Sequence, residues 1–368
     1  MAVSAVHRPA DRRELAELLR AATADGRPGA RLRIAGGGTH APPAPPGGPA
    51  ARLDTTALDR IVDHTPADLT VTVEGGARAA DLAALLAREG QCWPQADIAP
   101  GATVGGILAA AASGHRRLRD GPVRDSLLEV VVATGDGRLV TGGGRTVKNV
   151  SGFDIPRLMV GAHGTLGVIV QATLKLWPRP AREGWFRRPG RPADLAATAR
   201  ALVASPARPG AVVVGPRALH VELVGPADDV VAPDGFAAAV GPPPEPGAAE
   251  PVGAILVRAS VPPSRLPVLV ATLDEEGRDF RAWMGVGLCD VAVADDRALA
   301  EVREAARRLG GHATVRRDPA GRAADPWGAP PAGLAQARRL RRAFDPAGVL
   351  NHGVLPGVDG APAAPAAA

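Results

Sequence analysis

Two hydrophobic periods divide the first half of this chain into helices and strands. Asp11 and Glu14 precede leucines that lie three and four residues apart, the pattern of a capped amphipathic helix. Residues 70–74 (T-V-T-V-E) alternate instead as a half-buried strand does. The turn at 135–137 (G-D-G) separates two apolar stretches and predicts a hairpin. These patterns predict helices at 11–22, 79–89 and 156–160 and strands at 31–35, 70–74, 128–134, 138–141 and 167–177.

The second half alternates strands with single helices. The patterns predict strands at 211–215, 219–224, 253–259, 286–293 and 312–317, helices at 263–276, 296–309 and 334–344, and a Pro/Gly/Ala-rich loop at 232–251. Such an order is typical of a sheet with helices on one face, and we expect an α+β fold.

The predicted elements divide the chain into four parts. We expect a first domain over residues 1–181 and a second, substrate-side α+β domain over 182–333. A helix and turn over 334–356 should return to the first domain. Residues 357–368 are rich in Ala and Pro, and we expect them to be a disordered tail.

Charge and cysteine content narrow the class of protein. The 368 residues carry a formal net charge of +5, but 43 basic and 38 acidic residues are interspersed, so we expect no nucleic-acid partner. The arginine run at 338–342 has no interleaved aromatic residues and is interpreted as a solvated helix face or an interface with a partner subunit.

Cys92 and Cys289 lack metal-ligand spacing, which predicts reduced thiols, no metal and a cytoplasmic location. We expect no signal peptide and no membrane span.

Glycine turns beside apolar residues indicate a ligand-binding site. Residues 36–41 (G-G-G-T-H-A) fit a dinucleotide fingerprint formally, but the prolines at 42, 43, 45 and 46 exclude the helix that a Rossmann turn requires. Further small-residue turns lie at 100–106, 113–114 and 161–169. A pyrophosphate needs many N–H donors and no side-chain bulk, so we expect these turns to converge on one extended ligand.

The turns also carry a family resemblance. G-G-G-T at 36–39, A-T-V-G-G at 102–106, S-G-H-R-R at 113–117, V-R-D at 123–125, V-K-N-V-S-G-F-D at 147–154 and G-T-L-G-V-I at 164–169 resemble the PCMH-type FAD-binding domain of the vanillyl-alcohol-oxidase superfamily. G-G-H-A-T at 310–314 and F-D-P-A-G-V-L-N at 344–351 make the chain similar, more narrowly, to FAD-binding subunits of bacterial glycolate oxidases.

The resemblance implies a first domain of two α+β subdomains that binds FAD, followed by a smaller cap domain with an antiparallel sheet and helices. Turns 36–40 and 101–106 would wrap the diphosphate, 113–117 would lie near the ribityl and flavin portion, and 164–169 near the adenine end. The implied cofactor-binding residues are Gly36, Gly37, Gly38, Thr39, His40, Pro100, Gly101, Ala102, Thr103, Gly105, Gly106, Ser113, Gly114, Arg117, Gly164, Gly167, Val168 and Ile169.

Two residues near this site leave alternatives open. Some superfamily members attach FAD covalently through a histidine in the first loop, but G-G-G-T-H is one residue longer than their usual spacing, so non-covalent binding at His40 is favoured. Lys148 lies in the K-N motif, where a contact with anionic groups and a structural salt bridge are both open.

Candidate substrate groups lie in the second domain. A 2-hydroxy acid needs a cation for its carboxylate and a base for its hydroxyl. The candidate catalytic residues are His312, Arg316 and Arg281, and His220 and Arg317 are further candidates for substrate contact. The H-x-x-x-x-H metal cluster of the related catalytic flavin subunit is absent from the sequence.

That absence favours a glycolate oxidase or dehydrogenase subunit that works beside a catalytic flavin subunit and an iron–sulfur subunit. Those partners offer peripheral membrane association as an alternative to a purely cytoplasmic location. A stand-alone FAD-dependent oxidase or dehydrogenase of a small hydroxy acid or alcohol, and a scaffold that has lost flavin, remain the alternative functions.

Overall fold

The computed structural model describes residues 5–25, 30–40, 51–96, 99, 101–145, 153–247, 254–323, 325–329, 333–355 and 357–359. The chain divides into two compact units. The first unit comprises residues 1–114, 122–179 and 330–368, and the second comprises 115–121 and 180–329.

The first unit contains two main sheets. Its three-stranded parallel sheet has the order β1-β3-β2, with β1 Ala5–His7, β2 Leu32–Ala35 and β3 Ala51–Asp54. Its five-stranded antiparallel sheet has the order β4-β5-β9-β7-β8, with β4 Ile61–Thr65, β5 Thr70–Glu74, β7 Leu127–Ala133, β8 Leu139–Gly143 and β9 Val168–Lys175. A short antiparallel pair joins β6 Gln91–Cys92 to β10 Trp177–Pro178.

Five helices among the described residues of this unit cover the sheets. They are α1 Arg12–Asp25, α2 Ala79–Ala87, α3 Val104–Ala109, α5 Ile155–Met159 and α9 Leu334–Phe344. The helix α1 begins where the Asp11 carboxylate accepts hydrogen bonds from the N–H groups of Arg13 and Glu14. The predicted hairpin is confirmed, because β7 and β8 pair on either side of the turn.

The strand β7 is apolar on both sides because both faces of its sheet are covered. Val130 and Val132 belong to one buried cluster, with residues of α2 and α3. Val131 and Ala133 belong to another, with residues of α1 and the parallel sheet. Burial on both faces explains the near-continuous apolar run L-L-E-V-V-V-A.

In the described part of the second unit, one eight-stranded antiparallel sheet packs with three longer helices. Its strand order is β14-β11-β13-β12-β16-β17-β15-β18. The strands are β11 Arg182–Pro189, β12 Ala211–Gly215, β13 Ala218–Gly225, β14 Ala237–Ala239, β15 Ile255–Ser260, β16 Phe280–Trp283, β17 Leu288–Val293 and β18 His312–Arg317. The helices are α4 Arg117–Asp120, α6 Pro192–Val203, α7 Leu266–Glu275 and α8 Asp296–Arg308.

One face of this sheet packs against the helices α6, α7 and α8, as the strand and helix order predicted. Alternate strand residues such as Val257, Ala282 and Val291 share a buried cluster with Leu269 and Leu299 of the helices. The intervening residues face the other way, and several of them are polar. The sequence patterns predict no helix or strand over residues 182–203, but these residues form β11 and α6.

The end of the described chain corrects two expectations. Val358 is buried and the Asp359 carboxylate binds Arg341, so the prediction of disorder is wrong for residues 357–359. Residues 360–368 lie outside the described residues. Arg341 belongs to the arginine run interpreted as a solvated helix face or a partner interface, yet it is 3% exposed within this chain alone. The reason is that its guanidinium replaces water with four protein acceptors, described below.

Candidate functional site

The first glycine turn follows β2 and is packed directly on residues 101–103. A Cβ on Gly37 would overlap the carbonyl oxygen of Gly101, so only glycine permits this approach of the two backbones. Gly38 adopts a left-handed conformation with φ +73°, and a Cβ there would meet no protein atom within 4 Å. The turn therefore presents bare backbone toward open space.

The second turn leads into the short helix α3. Thr103 caps this helix by accepting a hydrogen bond from the N–H of Gly106 (3.2 Å). The N–H of Gly105 donates to the carbonyl of Gly75 at the end of β5 (2.7 Å). These bonds fix the turn between the parallel sheet and the five-stranded sheet of the first unit.

The third turn, residues 160–167, joins α5 to β9. The N–H of His163 donates to the carbonyl of Ala109 on α3 (2.9 Å). His163 itself adopts a left-handed backbone (φ +50°), which is uncommon for a residue other than glycine. The hydroxyl of Thr165 donates to the carbonyl of Ala162 and closes the turn (2.7 Å).

Asn351, close to the C-terminus, ties the first and third turns together. Its side-chain oxygen accepts from the N–H of Ile34 on β2 (2.8 Å), and its side-chain nitrogen donates to the carbonyl of His163 (2.7 Å). Asn351 is 4% exposed, so both groups are paired within the protein. Sequence reasoning did not assign it to the site, although it ends the quoted motif at 344–351.

Arg341 on α9 supports the same region from behind. Its guanidinium donates to the carbonyls of Thr165 and Leu350, and it pairs with the carboxylates of Asp345 (3.0 Å) and Asp359 (2.8 Å). Burial raises the pKa of Asp345, and Arg341 opposes that rise. The third turn and the C-terminal segment thus share one buried charge network.

The three turns and Asn351 line one cavity that is partly open to solvent. The lining residues are Ile34, Ala35, Gly36, Gly37, Gly38, Thr39, His40, Thr55, Thr103, Gly105, Gly106, Ala109, Ala110, His163, Gly164, Gly167, Val168, Ile169 and Asn351.

Most of the cofactor-binding residues predicted from the sequence line this cavity. Those are Gly36, Gly37, Gly38, Thr39, His40, Thr103, Gly105, Gly106, Gly164, Gly167, Val168 and Ile169. Sequence reasoning missed Ile34, Ala35, Thr55, Ala109, Ala110, His163 and Asn351, because helix walls and distant loops carry no glycine signal. Pro100 and Lys148 lie outside the described residues.

The remaining predicted residues do not line the cavity. Gly101 and Ala102 lie behind the first turn, and Ala102 is buried. Ser113 uses its hydroxyl to accept the N–H of Val123 (3.1 Å), so it has a structural partner there. Gly114 is absent from the lining. Arg117 belongs to α4 of the second unit.

The neighbouring residues of the S-G-H-R-R motif bind a carboxylate in the second unit. Arg116 makes a bidentate pair with Glu222 on β13, and His115 contacts the same carboxylate (3.1 Å). Burial pushes the pKa of Glu222 up, but the hydrogen bonds from His115 and Arg116 outweigh it and lower that pKa. This part of the motif therefore has a structural role within the second unit.

Chemically, the cavity offers backbone donors and apolar walls. None of the described residues accepts a hydrogen bond from the N–H groups of Gly37, Gly38 and Thr39. The walls include Ile34 and Ile169. Exposed N–H groups without side chains suit a diphosphate, and the apolar walls suit a flat ring system, so the residues present fit a dinucleotide.

The candidate substrate residues of the second unit do not form one group. His312 is exposed at the start of β18, and Arg317 pairs with Glu245 (2.5 Å). His220 is buried on β13 with Nδ1 3.2 Å from the carbonyl of Gly241, and burial, with a contribution from Arg187, lowers its pKa.

Arg281 and Arg316 share one polar region of the sheet around Asp290. Among the described residues, no group of three histidine, cysteine, aspartate or glutamate side chains is placed to hold a metal ion. None of the described helices is long and apolar enough to cross a membrane.

Comparison with known proteins shows what the chain resembles. Residues 3–143 match a family described as FAD binding domain. Over 138 residues the chain is 38% identical to "Glycolate oxidase subunit GlcE" of Escherichia coli, which is 37% of this chain and 39% of that protein. Over 126 residues it is 35% identical to "Glycolate oxidase subunit GlcD" of Bacillus subtilis, 33% of this chain and 26% of that protein.

A third relative is a "D-lactate dehydrogenase" of Archaeoglobus fulgidus, 42% identical over 92 residues, 25% of this chain and 21% of that protein. The alignments thus span less than half the length of each of these three curated relatives. A solved structure of alkyldihydroxyacetonephosphate synthase superimposes with a TM-score of 0.65 at 15% identity and covers 94% of this chain and 75% of that chain. At this identity the likeness is one of fold.

Proposed function

We propose that the chain is the flavin-binding subunit of a 2-hydroxy-acid oxidase or dehydrogenase, because residues 3–143 match a family described as FAD binding domain. The observation that carries the proposal is the convergence of three small-residue turns on one cavity. Similarity to glycolate oxidase subunits and to a D-lactate dehydrogenase supports the substrate class.

In this proposal the first turn holds the diphosphate of FAD. The N–H groups of Gly37, Gly38 and Thr39 donate to its oxygens, in place of the water that solvates them otherwise. Ile34 and Ile169 exclude water beside the rings, and Asn351 fixes the spacing of the two turns. FAD, when bound, supplies the hydride and electron transfer, whereas the protein supplies position and electrostatics.

We propose non-covalent binding at His40. Its Nδ1 lies 2.9 Å from the hydroxyl of Thr39, so the imidazole has a polar partner within the turn. Acid precipitation of the purified chain tests this point. Flavin released into the supernatant is expected, whereas yellow colour retained in the washed pellet would show a covalent bond.

The substrate we propose is a small 2-hydroxy acid such as glycolate, oxidised by a complex that contains a catalytic flavin subunit and an iron–sulfur subunit. Three assays of dye reduction test the assignment: partners alone, this chain alone, and the mixture. Glycolate is the substrate, and acetate, which has no hydroxyl to oxidise, is the matched control. Faster reduction by the mixture than by the partners alone is expected, and equal rates would exclude the subunit function.

A stand-alone dehydrogenase is the second candidate, because one of the similar proteins is named D-lactate dehydrogenase without a subunit. The assay of the chain alone, with glycolate and with D-lactate, separates the two. Turnover without partners would favour this alternative. A folded chain that binds no flavin would favour instead a scaffold that has lost its cofactor.

A further inference from the structure

A cluster of arginines lies on the polar side of the second unit's sheet. Register pairing sets Arg258 on β15 opposite Asp290 on β17, and sets Asp290 opposite Arg281 on β16. The Arg258 guanidinium binds the Asp290 carboxylate through two nitrogens (2.6 and 2.9 Å), and Arg281 reaches it at 3.4 Å. Asp290 is 1% exposed, so one buried carboxylate serves two guanidinium groups.

Arg316 on β18 adds a third guanidinium to the Arg258–Arg281–Asp290 cluster. Val257 of β15 pairs with Val315, whereas Leu256, which precedes Val257, pairs with Arg317. Arg316 is therefore an additional residue at an irregularity of the ladder. Extra residues of this kind redirect a side chain and are common beside functional sites. Arg316 interacts electrostatically with Arg258 and Asp290.

Within the described residues, the Arg316 side chain has neither an ion-pair partner nor a hydrogen-bond acceptor. Burial, followed by repulsion from Arg258, lowers the pKa of Arg316 to about 10. A partly buried cation of this kind costs free energy of folding unless a partner compensates it. The missing counter-charge points to a ligand.

The charged side chains in and around the arginine cluster sum to a net positive charge. Arg258, Arg281, Arg316 and Arg317 carry four positive charges, whereas Asp290 and Glu245, the partner of Arg317, carry two negative charges. The excess of two charges matches a dianion. Cys289 points into the opposite, buried side of the sheet, where burial raises its pKa well above the usual value.

Unused donors remain for such a ligand. Each guanidinium has five N–H groups. The Nε of Arg281 is buried without a partner among the described residues. Trp283 stacks against Arg281 (4.6 Å) and Arg258 (5.5 Å), which holds both groups in place without consuming an N–H donor. Guanidinium groups recognise carboxylate and phosphate oxygens through paired N–H bonds.

We propose that the sheet face at Arg258, Arg281 and Arg316 is a binding site for a small dianion, recognised through its carboxylate or phosphate oxygens. Arg281 and Arg316 are also candidate substrate residues, but binding of a dianion needs neither FAD nor turnover, so its test succeeds or fails independently of the proposed function. Arg316 supplies the principal free donor group, and the Arg258–Asp290 pair positions the neighbouring guanidinium groups.

Calorimetric titration of the full-length chain with malonate and, separately, with inorganic phosphate tests the proposal. Sodium chloride keeps the ionic strength constant, and acetate serves as the monoanion control. Saturable binding of malonate alone identifies a dicarboxylate site, and saturable binding of phosphate alone identifies a phosphate site. Either result supports the proposal, whereas saturable binding of neither probe overturns it.

Arg316→Gln and Arg317→Gln form a matched pair of variants, because the residues are adjacent but only Arg317 has a carboxylate partner. Arg316→Gln should lose at least about tenfold in affinity, as the loss of one charged hydrogen bond implies. Arg317→Gln should bind within about threefold of the unaltered chain.

Thermal unfolding separates ligand binding from a structural role. Without ligand, Arg316→Gln should unfold at the same or a higher temperature than the unaltered chain, because an uncompensated charge has been removed. Malonate or phosphate should raise the unfolding temperature of the unaltered chain and not of the variant. Undiminished affinity in Arg316→Gln, or a marked loss of its stability without ligand, would refute the site.

Discussion

Replacing Arg341 with methionine tests the charge network behind the cavity. Methionine keeps much of the side-chain length but removes every donor. In the native chain the guanidinium serves the carbonyls of Thr165 and Leu350 and the carboxylates of Asp345 and Asp359. All of these contacts lie within the first unit, so the change should destabilise the turn that lines the cavity.

The expected loss is large because the partners are buried. Asp345 is 2% exposed and the Asp359 side chain 5% exposed. Breaking a buried ion pair from one side costs about 3 to 5 kcal/mol, since it leaves an uncompensated charge. We expect the free energy of unfolding to fall by about this amount. The adjacent Arg342 is exposed, and Arg342→Met should change stability by less than about 0.5 kcal/mol.

The pH dependence supplies a second test. Burial raises the pKa of Asp345 in the folded chain, and Arg341 is the main group that opposes this. A carboxyl with a raised folded-state pKa binds its proton more tightly when folded, so it favours folding increasingly as the pH falls through that pKa. Without Arg341 the pKa should rise further. The penalty of Arg341→Met should therefore be smaller at about pH 5.5 than at about pH 8.

Urea unfolding followed by circular dichroism measures both effects. The double variant Arg341→Met/Asp345→Asn should recover part of the stability lost at the higher pH, because it removes one stranded charge. A loss below about 1 kcal/mol in Arg341→Met would refute the network as a stabilising element. An equal loss in Arg342→Met would show that removing any arginine from this helix has the same effect.

Two further predictions concern the cavity and the second unit. Gly38→Ala and Gly90→Ala both place a Cβ in open space at positive φ, so each should reduce the free energy of unfolding by about 1 kcal/mol. Only Gly38→Ala should weaken FAD binding in a fluorescence titration. Equal weakening by both would contradict the placement of the diphosphate. Glu222→Gln removes the shared charge that Arg116 and His115 bind and should cost about 3 to 5 kcal/mol in urea unfolding, whereas unchanged stability would contradict a structural role.

Local patterns predicted the elements well where one face of an element is buried. The hairpin of β7 and β8, the capped helix α1 and the strand β18 follow from spacing and turn residues within a few positions. The strand β11 was missed because most of its residues are exposed or half-buried and no apolar alternation marks it. The helix α6 begins with Pro192, a start signal that the apolar pattern alone does not use.

The sequence predicted those site residues that must be glycine. A side chain at Gly37 or Gly164 would collide with neighbouring atoms, so glycine is required there and is visible in the sequence. Asn351 does not, since its two partners lie 317 and 188 residues away. Arg341 was misjudged for the same reason: in a run of arginines, only tertiary contacts decide which one is buried.

Ser113 and Arg117 show what a shared motif leaves open. Their placement near the flavin stays a prediction: neither lines the cavity of the first unit, the Ser113 hydroxyl accepts the N–H of Val123, and Arg117 belongs to the second unit. A motif reports that its residues belong together in a family. It does not report which of them face the ligand and which hold the fold.

The most direct test of the account is flavin binding by the purified chain. Gel filtration followed by an absorption spectrum between about 350 and 480 nm, where oxidised flavins absorb, measures it. We expect a yellow protein with one FAD per chain, or a colourless one that takes up one equivalent of added FAD. A folded chain that neither retains nor takes up FAD would contradict it.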